Sequence, residues 1–245
     1  MSPVAEPIPA ATVVVMRDRA GGPPELLMVE RSRAMAFAGG ALVFPGGRVD
    51  PGDHLFTHAY PDAAARVAAI RETIEEAGVA LGIDDKADRL KELRAALYGG
   101  APFAQLLEAA GLTLDLDVLV PFARWLPHGL PHRVFDTLFY LARSPEGAEP
   151  RVDGNENVRL FWITAQGALD LADRGDAMLI YPTRRNLERL ALFDGFESAM
   201  AHARAFPIEP ITPRVQTRGG IDYLCIPEGL GYPITAERLD RAVRA

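Results

Sequence analysis

An α/β (α+β) fold is predicted for this chain by its alternation of strand-like and helix-like segments. Short apolar runs rich in β-branched residues are typical of buried strands, and the longer amphipathic segments between them are typical of helices. The chain has 245 residues, of which 49% are hydrophobic and 24% are charged. We expect a core domain over residues 10–175 and a helical C-terminal extension over residues 176–245, packed on the same domain.

The N-terminal third predicts three strands followed by a helix. Gly-Gly-Pro-Pro at 21–24 and Pro-Gly-Gly at 45–47 are turn signals that separate or end the apolar runs. A helix is predicted from Pro61 to Gly78, because Asp62 can cap its start and Gly78 can end it in a left-handed conformation. The predicted strands are Thr12–Met16, Glu25–Glu30 and Ala41–Phe44.

The rest of the chain continues the mixed pattern. Pro121 cannot donate a ladder hydrogen bond, so its strand is expected to be bulged or at an edge. The predicted strands are Val118–Leu126, Val134–Ala142, Val158–Ile163 and Ile221–Ile226, and the predicted helices are Lys86–Tyr98, Phe103–Ala110, Gln166–Arg174, Thr183–Leu192 and Glu197–Ala205.

The charge balance and the apolar runs exclude several classes of partner. The formal net charge is −7, and an acidic chain lacks the basic surface that contacts to a nucleic-acid backbone require. No apolar run reaches the roughly 18 residues that span a membrane, and residues 1–11 lack the features of a secretory signal. We therefore expect a cytoplasmic protein with no nucleic-acid and no membrane partner, and a homodimer is left open.

Three carboxylates are predicted to share one face of the helix from Pro61 to Gly78. An apolar stripe through Ile70 and Ile74 would pack on the core, while Glu72, Glu75 and Glu76 lie on the opposite side at i, i+3 and i+4. Oxygen ligands at this spacing suit Mg²⁺ or Mn²⁺. For the helix by itself, a solvated acidic face is the simpler interpretation.

The segment before the helix favours a metal site over a solvated acidic face. Gly46 and Gly47 are adjacent glycines, which let the backbone approach a ligand closely. Such a loop can offer a carbonyl to a metal ion or amides to a phosphate.

Together, these residues resemble the Nudix hydrolase family. Its signature runs Gly-x5-Glu-x7-Arg-Glu-U-x-Glu-Glu-x-Gly-U, where U is aliphatic. Gly47 is the opening glycine, and residues 71–79 match the closing half at every charged and glycine position. Asp53 stands in the place of the family's first glutamate, whose role is to bind metal or to lock the loop. Thr73 stands in the place of an aliphatic residue. The gap from Asp53 to Arg71 is about ten residues longer than in the family.

Further segments are similar to the type-19 coenzyme A diphosphatase branch of the family. They are residues 31–33, 37–47, 133–137, 162–164 and 182–185. Bacterial coenzyme A diphosphatases also carry an arginine where this chain has Ala36. An extra 3′-phosphate on coenzyme A calls for additional arginines, and Leu55, Phe56 and Tyr60 of the insert could line a groove for the pantetheine arm.

The resemblance implies an α/β/α sandwich with a mixed sheet and a role for each site residue. Glu72, Glu75 and Glu76 would bind Mg²⁺ or Mn²⁺ together with the Gly46 carbonyl. Arg71 would orient Glu72, which is also a candidate base. The other implied site residues are Glu156, as a glutamate on a later loop that binds metal or acts as base, and Arg31, Arg33, Gly47 and Arg184, as substrate-binding residues.

The implied activity is hydrolysis of the phosphoanhydride bond of a nucleoside diphosphate linked to another moiety. Coenzyme A or an acyl-CoA is the first choice of substrate, and ADP-ribose or a dinucleotide is the second. A catalytically silent ligand sensor on the same fold is the alternative from a different class, although all three helix glutamates are present. A DNA-reading helix-turn-helix with a basic face is not seen.

Overall fold

A computed structural model of the chain describes residues 6–32, 38–56, 59–83, 87–127, 134–152 and 157–242. The strands are β1 (Ile8–Arg19), β2 (Gly22–Arg31), β3 (Leu42–Val43), β4 (Gly46–Arg48), β5 (Val120–Trp125), β6 (Phe135–Arg143), β7 (Asn157–Thr164), β8 (Pro210–Ile211), β9 (Arg214–Arg218), β10 (Ile221–Cys225) and β11 (Ala236–Arg238). The helices are α1 (Ala63–Ala77), α2 (Ala87–Tyr98), α3 (Phe103–Ala110), α4 (Ala165–Asp173), α5 (Tyr181–Leu190), α6 (Phe196–Arg204) and α7 (Leu239–Ala242).

The main sheet is mixed and forks between its first two strands. β1 pairs antiparallel with β2 near their connecting turn and parallel with β6 along most of its length. Where β1 and β2 diverge, β3 pairs with β2 and β4 pairs with β1. β7 pairs with the other edge of β2, and β5 and β8 extend the sheet beyond β6. The fork places the Pro45–Gly47 segment inside the sheet, next to the start of β1.

Helices cover both faces of this sheet, which confirms the predicted α/β class. On one face, Val13, Val15 and Leu27 pack with α1 and with residues of α2 and α3. On the other face, Leu26 and Met28 pack with α4, α5, α6 and the C-terminal segment. The alternation of side chains along each strand separates the two cores.

The C-terminal segment is less helical than predicted. Helices α5 and α6 are present as expected, but β8 joins the main sheet, and β9, β10 and β11 form a separate three-stranded sheet. The predicted bulge in β5 is confirmed by a register shift between Pro121 and Ala123. None of the helices in the described ranges is long and apolar enough to cross a bilayer.

Candidate active site

Helix α1 presents its apolar stripe to the sheet and ends as predicted. Val67, Ile70 and Ile74 are fully buried. Gly78 has a φ of 64°, in the left-handed region, and its amide donates to the Ile74 carbonyl. Asp62 is the N-cap residue of α1 but makes no capping hydrogen bond. It accepts instead from Arg66 Nε at 3.0 Å and from the Tyr140 hydroxyl at 2.9 Å.

The acidic face of α1 lies under the segment that precedes the helix, so its interpretation as a solvated surface is wrong. Glu76 is 5% exposed, and its Oε2 accepts from the Gly46 amide at 2.9 Å. Its Oε1 lies 3.9 Å from Nη1 of Arg31 at the end of β2. Arg31, predicted to bind substrate, is therefore beside the glutamates of the helix.

Arg71 is the hub that fixes the loop to the helix. Its Nε and Nη2 donate to the two oxygens of Asp53, each at 3.0 Å. Its Nη1 donates to Oε1 of Glu72 at 2.9 Å and to Oε1 of Glu75 at 3.2 Å. Arg71 is 6% exposed and Asp53 is 1% exposed. The hydrogen bond to Glu72 is the one predicted for Arg71, and Asp53 takes the loop-locking role through a bidentate charged pair.

The Gly47 backbone lies directly against the Glu72 carboxylate. A Cβ atom built on Gly47 would lie 2.3 Å from Cδ of Glu72. The pKa of Glu72 is raised to about 8: burial is the main cause, Arg71 opposes it, and the neighbouring Glu76 and Glu75 carboxylates add to it. Four carboxylates, those of Asp53, Glu72, Glu75 and Glu76, share this site with two cations, Arg71 and Arg31, so acidic groups outnumber basic ones.

This surplus charge and the all-oxygen donor set fit a hard divalent cation. In the ranges that the structure describes, no three acidic, histidine or cysteine side chains already converge as ligands. Arg71 donates hydrogen bonds to one carboxylate oxygen, Oε1, of Glu72 and of Glu75. To bind one metal ion together, the Glu72 and Glu75 side chains would have to change rotamer. The assignment of the glutamates as metal ligands stays a prediction.

Arg184, also predicted to bind substrate, lies across the sheet from these glutamates. Leu27 packs on the α1 side and Met28 on the other, so along β2 Arg31 faces α1 and Glu30 faces away. Glu30 and Arg184 line a cleft of about 1490 Å³ on that second face. Sequence spacing does not reveal on which face of a sheet a distant helix packs.

In the described part of the insert, Leu55, Phe56 and Tyr60 do not line one common groove. Leu55 is 64% exposed, Phe56 packs against Phe103 with ring centroids 5.8 Å apart, and Tyr60 stacks on Arg66. Arg33 and Glu156, the remaining predicted site residues, lie outside the described residues, as does Ala36.

Arg94 and Tyr98 of α2 were missed at this site. Both donate to the main-chain carbonyl of Glu75, although neither is at a spacing from the signature that would single it out.

We expect Gly47→Ala to lower kcat about tenfold or more with little loss of stability. The three atoms nearest to the added methyl group all belong to the Glu72 carboxylate, which must move relative to Arg71, and small displacements of reacting groups are costly. Gly52→Ala in the same loop is the matched control, because nothing lies within 4 Å of its Cβ position. Equal rates for the two variants would refute the role of the Gly47–Glu72 contact.

Known proteins match this fold and this signature. Residues 7–103 match the NUDIX domain. A Nudix hydrolase from Alicyclobacillus acidocaldarius is 31% identical, with a TM-score of 0.71 over 80% of this chain and 96% of that chain. A MutT Nudix hydrolase from Burkholderia pseudomallei is 19% identical, with a TM-score of 0.42 over 75% of this chain and 98% of that chain. An Ap4A hydrolase from C. elegans, in a binary complex, is 20% identical, with a TM-score of 0.40 over 68% and 86%.

The first of these relatives is 31% identical to this chain, and the match covers 96% of its length. The chain belongs to the Nudix hydrolase family.

Proposed function

We propose that this Nudix hydrolase cleaves the phosphoanhydride bond of a nucleoside diphosphate linked to another moiety, with Mg²⁺ or Mn²⁺ bound at the α1 glutamates. The observation that carries the proposal is the buried Arg71 hub, which gathers Asp53, Glu72 and Glu75 beneath the Gly46–Gly47 loop. A catalytically silent sensor would have no need for three crowded carboxylates, which are costly to keep together without a cation.

The chain's own residues divide the work in this proposal. Glu75, Glu76 and Glu72 would hold the metal with the Gly46 carbonyl, and Arg31 beside Glu76 would bind a diphosphate oxygen. The bound cation supplies charge neutralisation on the phosphoryl oxygens and an activated water. Arg71 holds Glu72 in place by its hydrogen bond. Glu72 is the first candidate for accepting the water's proton, and Glu156 is the second.

The cleft across the sheet is our candidate for the organic part of the substrate. Gly40 lines it, and the Gly40 amide donates to the main-chain carbonyl of Arg31, the residue proposed to bind a diphosphate oxygen. Leu42, Phe161 and Ile163 give it an apolar side, and Arg184 gives it a cation. Four arginines and five acidic residues also line the cleft. Its apolar side suits a long, weakly polar arm, as in coenzyme A or an acyl-CoA, and its arginines suit a phosphate.

Coenzyme A is expected to be cut faster than dephospho-coenzyme A, giving 3′-phospho-AMP and 4′-phosphopantetheine. Arg184→Ala should raise KM for coenzyme A about tenfold and change KM for dephospho-coenzyme A much less, since a lost charged hydrogen bond costs about 1.5–3 kcal/mol. Arg184 forms its salt bridge with the exposed Asp173, so folding should tolerate the change. Arg174→Ala, at a 59% exposed side chain, is the control.

Mass spectrometry of products from a panel of conjugates measures this selectivity. Equal rates on the two coenzymes would show that the 3′-phosphate is not recognised. A preference for ADP-ribose or a dinucleotide would remove the coenzyme A assignment and leave the hydrolase chemistry in place.

A further inference from the structure

The last turn of α1 ends in carbonyl groups that other parts of the chain satisfy. The Gly78 and Val79 amides donate to the carbonyls of Ile74 and Thr73, as in a left-handed helix end. The Ala77 carbonyl accepts from the Arg151 amide at 2.9 Å. The two carbonyls between those of Ile74 and Ala77 belong to Glu75 and Glu76, whose side chains are the proposed metal ligands.

Arg94 of α2 binds both of these carbonyls. Its Nε donates to the Glu75 carbonyl at 2.8 Å, and its Nη2 donates to the Glu76 carbonyl at 3.1 Å. The Tyr98 hydroxyl, one turn further along α2, also donates to the Glu75 carbonyl. One planar guanidinium thus spans two consecutive peptide groups, which fixes their orientation as a single flexible amine could not.

The positive charge of Arg94 also offsets the negative electrostatic potential at the C-terminus of α1. A helix C-terminus carries a partial negative charge, so carboxylates in its last turn are destabilised. Glu75 and Glu76 are in that turn. A cation fixed at the helix end offsets this penalty without touching the carboxylates that would bind the metal.

We propose that Arg94 is a positioning residue for the metal site, which acts through the main chain of Glu75 and Glu76. This inference rests on the metal-binding role proposed above for those glutamates. Arg94 contacts neither the predicted ligand oxygens nor the cleft, and its effect is therefore on how well the last turn presents the two carboxylates.

The test is a titration of the protein with Mn²⁺ alone, with free Mn²⁺ followed by electron paramagnetic resonance. Arg94→Met should weaken Mn²⁺ binding about tenfold, as is usual when a residue that supports a ligand is lost. Arg94→Lys restores the charge and one donor, so it should recover part of the affinity. Arg89→Met is the matched control, because Arg89 on the same helix donates to the Ala110 carbonyl of α3, away from the site.

Each outcome decides a separate point. Weaker binding in Arg94→Met, with partial recovery in Arg94→Lys and normal binding in Arg89→Met, supports the inference. Normal Mn²⁺ affinity in a folded Arg94→Met, in a series where Glu76→Gln abolishes binding, overturns the role of Arg94 alone. If Glu76→Gln also binds Mn²⁺ normally, the proposed metal site itself fails. Thermal melts of every variant separate lost affinity from lost folding.

Discussion

Glu76→Gln is expected to lower kcat at least about 100-fold and leave the fold intact. The amide keeps the shape of the side chain and can still accept from the Gly46 amide, which Glu76 does at 2.9 Å. It removes a negative charge from the group that would bind the metal, and such a charge is central to metal-assisted hydrolysis. Steady-state kinetics on a preferred conjugate, with a thermal melt of each sample, measure both quantities.

Glu108→Gln is the control for this change. Glu108 is an exposed residue of α3, so its neutralisation removes the same charge from the molecule outside the site. A rate for Glu76→Gln within a few-fold of the wild-type rate, in a folded protein, would show that Glu76 is not a metal ligand.

Arg71→Met should produce the largest loss of stability, about 3–5 kcal/mol, together with loss of activity. The carboxylate of Asp53, which is 1% exposed, would lose both of its guanidinium hydrogen bonds, and a buried charge left without its partner is strongly destabilising. Glu72 and Glu75 would lose the same cation. Urea unfolding followed by circular dichroism gives the free energy of unfolding of each variant.

A double-mutant cycle with Asp53→Asn tests the pair directly. With the buried charge already removed, adding Arg71→Met should cost much less than it does in the wild-type background. Additive losses would mean that the two side chains do not act as a pair, and the loop-locking role of Asp53 would then be wrong.

Much of the candidate site could be predicted because it is local in sequence. Ile70 and Ile74 recur at helical spacing, so the face that carries Glu72, Glu75 and Glu76 follows from the sequence alone. The same periodic and capping signals predicted α1 to within a few residues at each end. Asp53 was recognised as the acid that replaces the family's first glutamate, and it forms a bidentate pair with Arg71.

Contacts between distant segments were not predictable in this way. β9 (Arg214–Arg218) is exposed at every position, so it has no apolar alternation to reveal a strand. β4 consists largely of Gly46 and Gly47, which resemble a turn until β1 pairs with them. Arg184 and Arg94 belong to helices whose placement depends on tertiary packing, and the sequence carries no signal for the face on which they lie.

The most direct test of the central claim is hydrolysis of the conjugate panel in ¹⁸O-labelled water with Mg²⁺, followed by mass spectrometry of the products. The account predicts two products that each end in a phosphate, with ¹⁸O incorporated at one of the two phosphorus atoms, and no cleavage when a chelator replaces Mg²⁺. Cleavage that persists in the chelator, or label found anywhere other than on phosphorus, would contradict it.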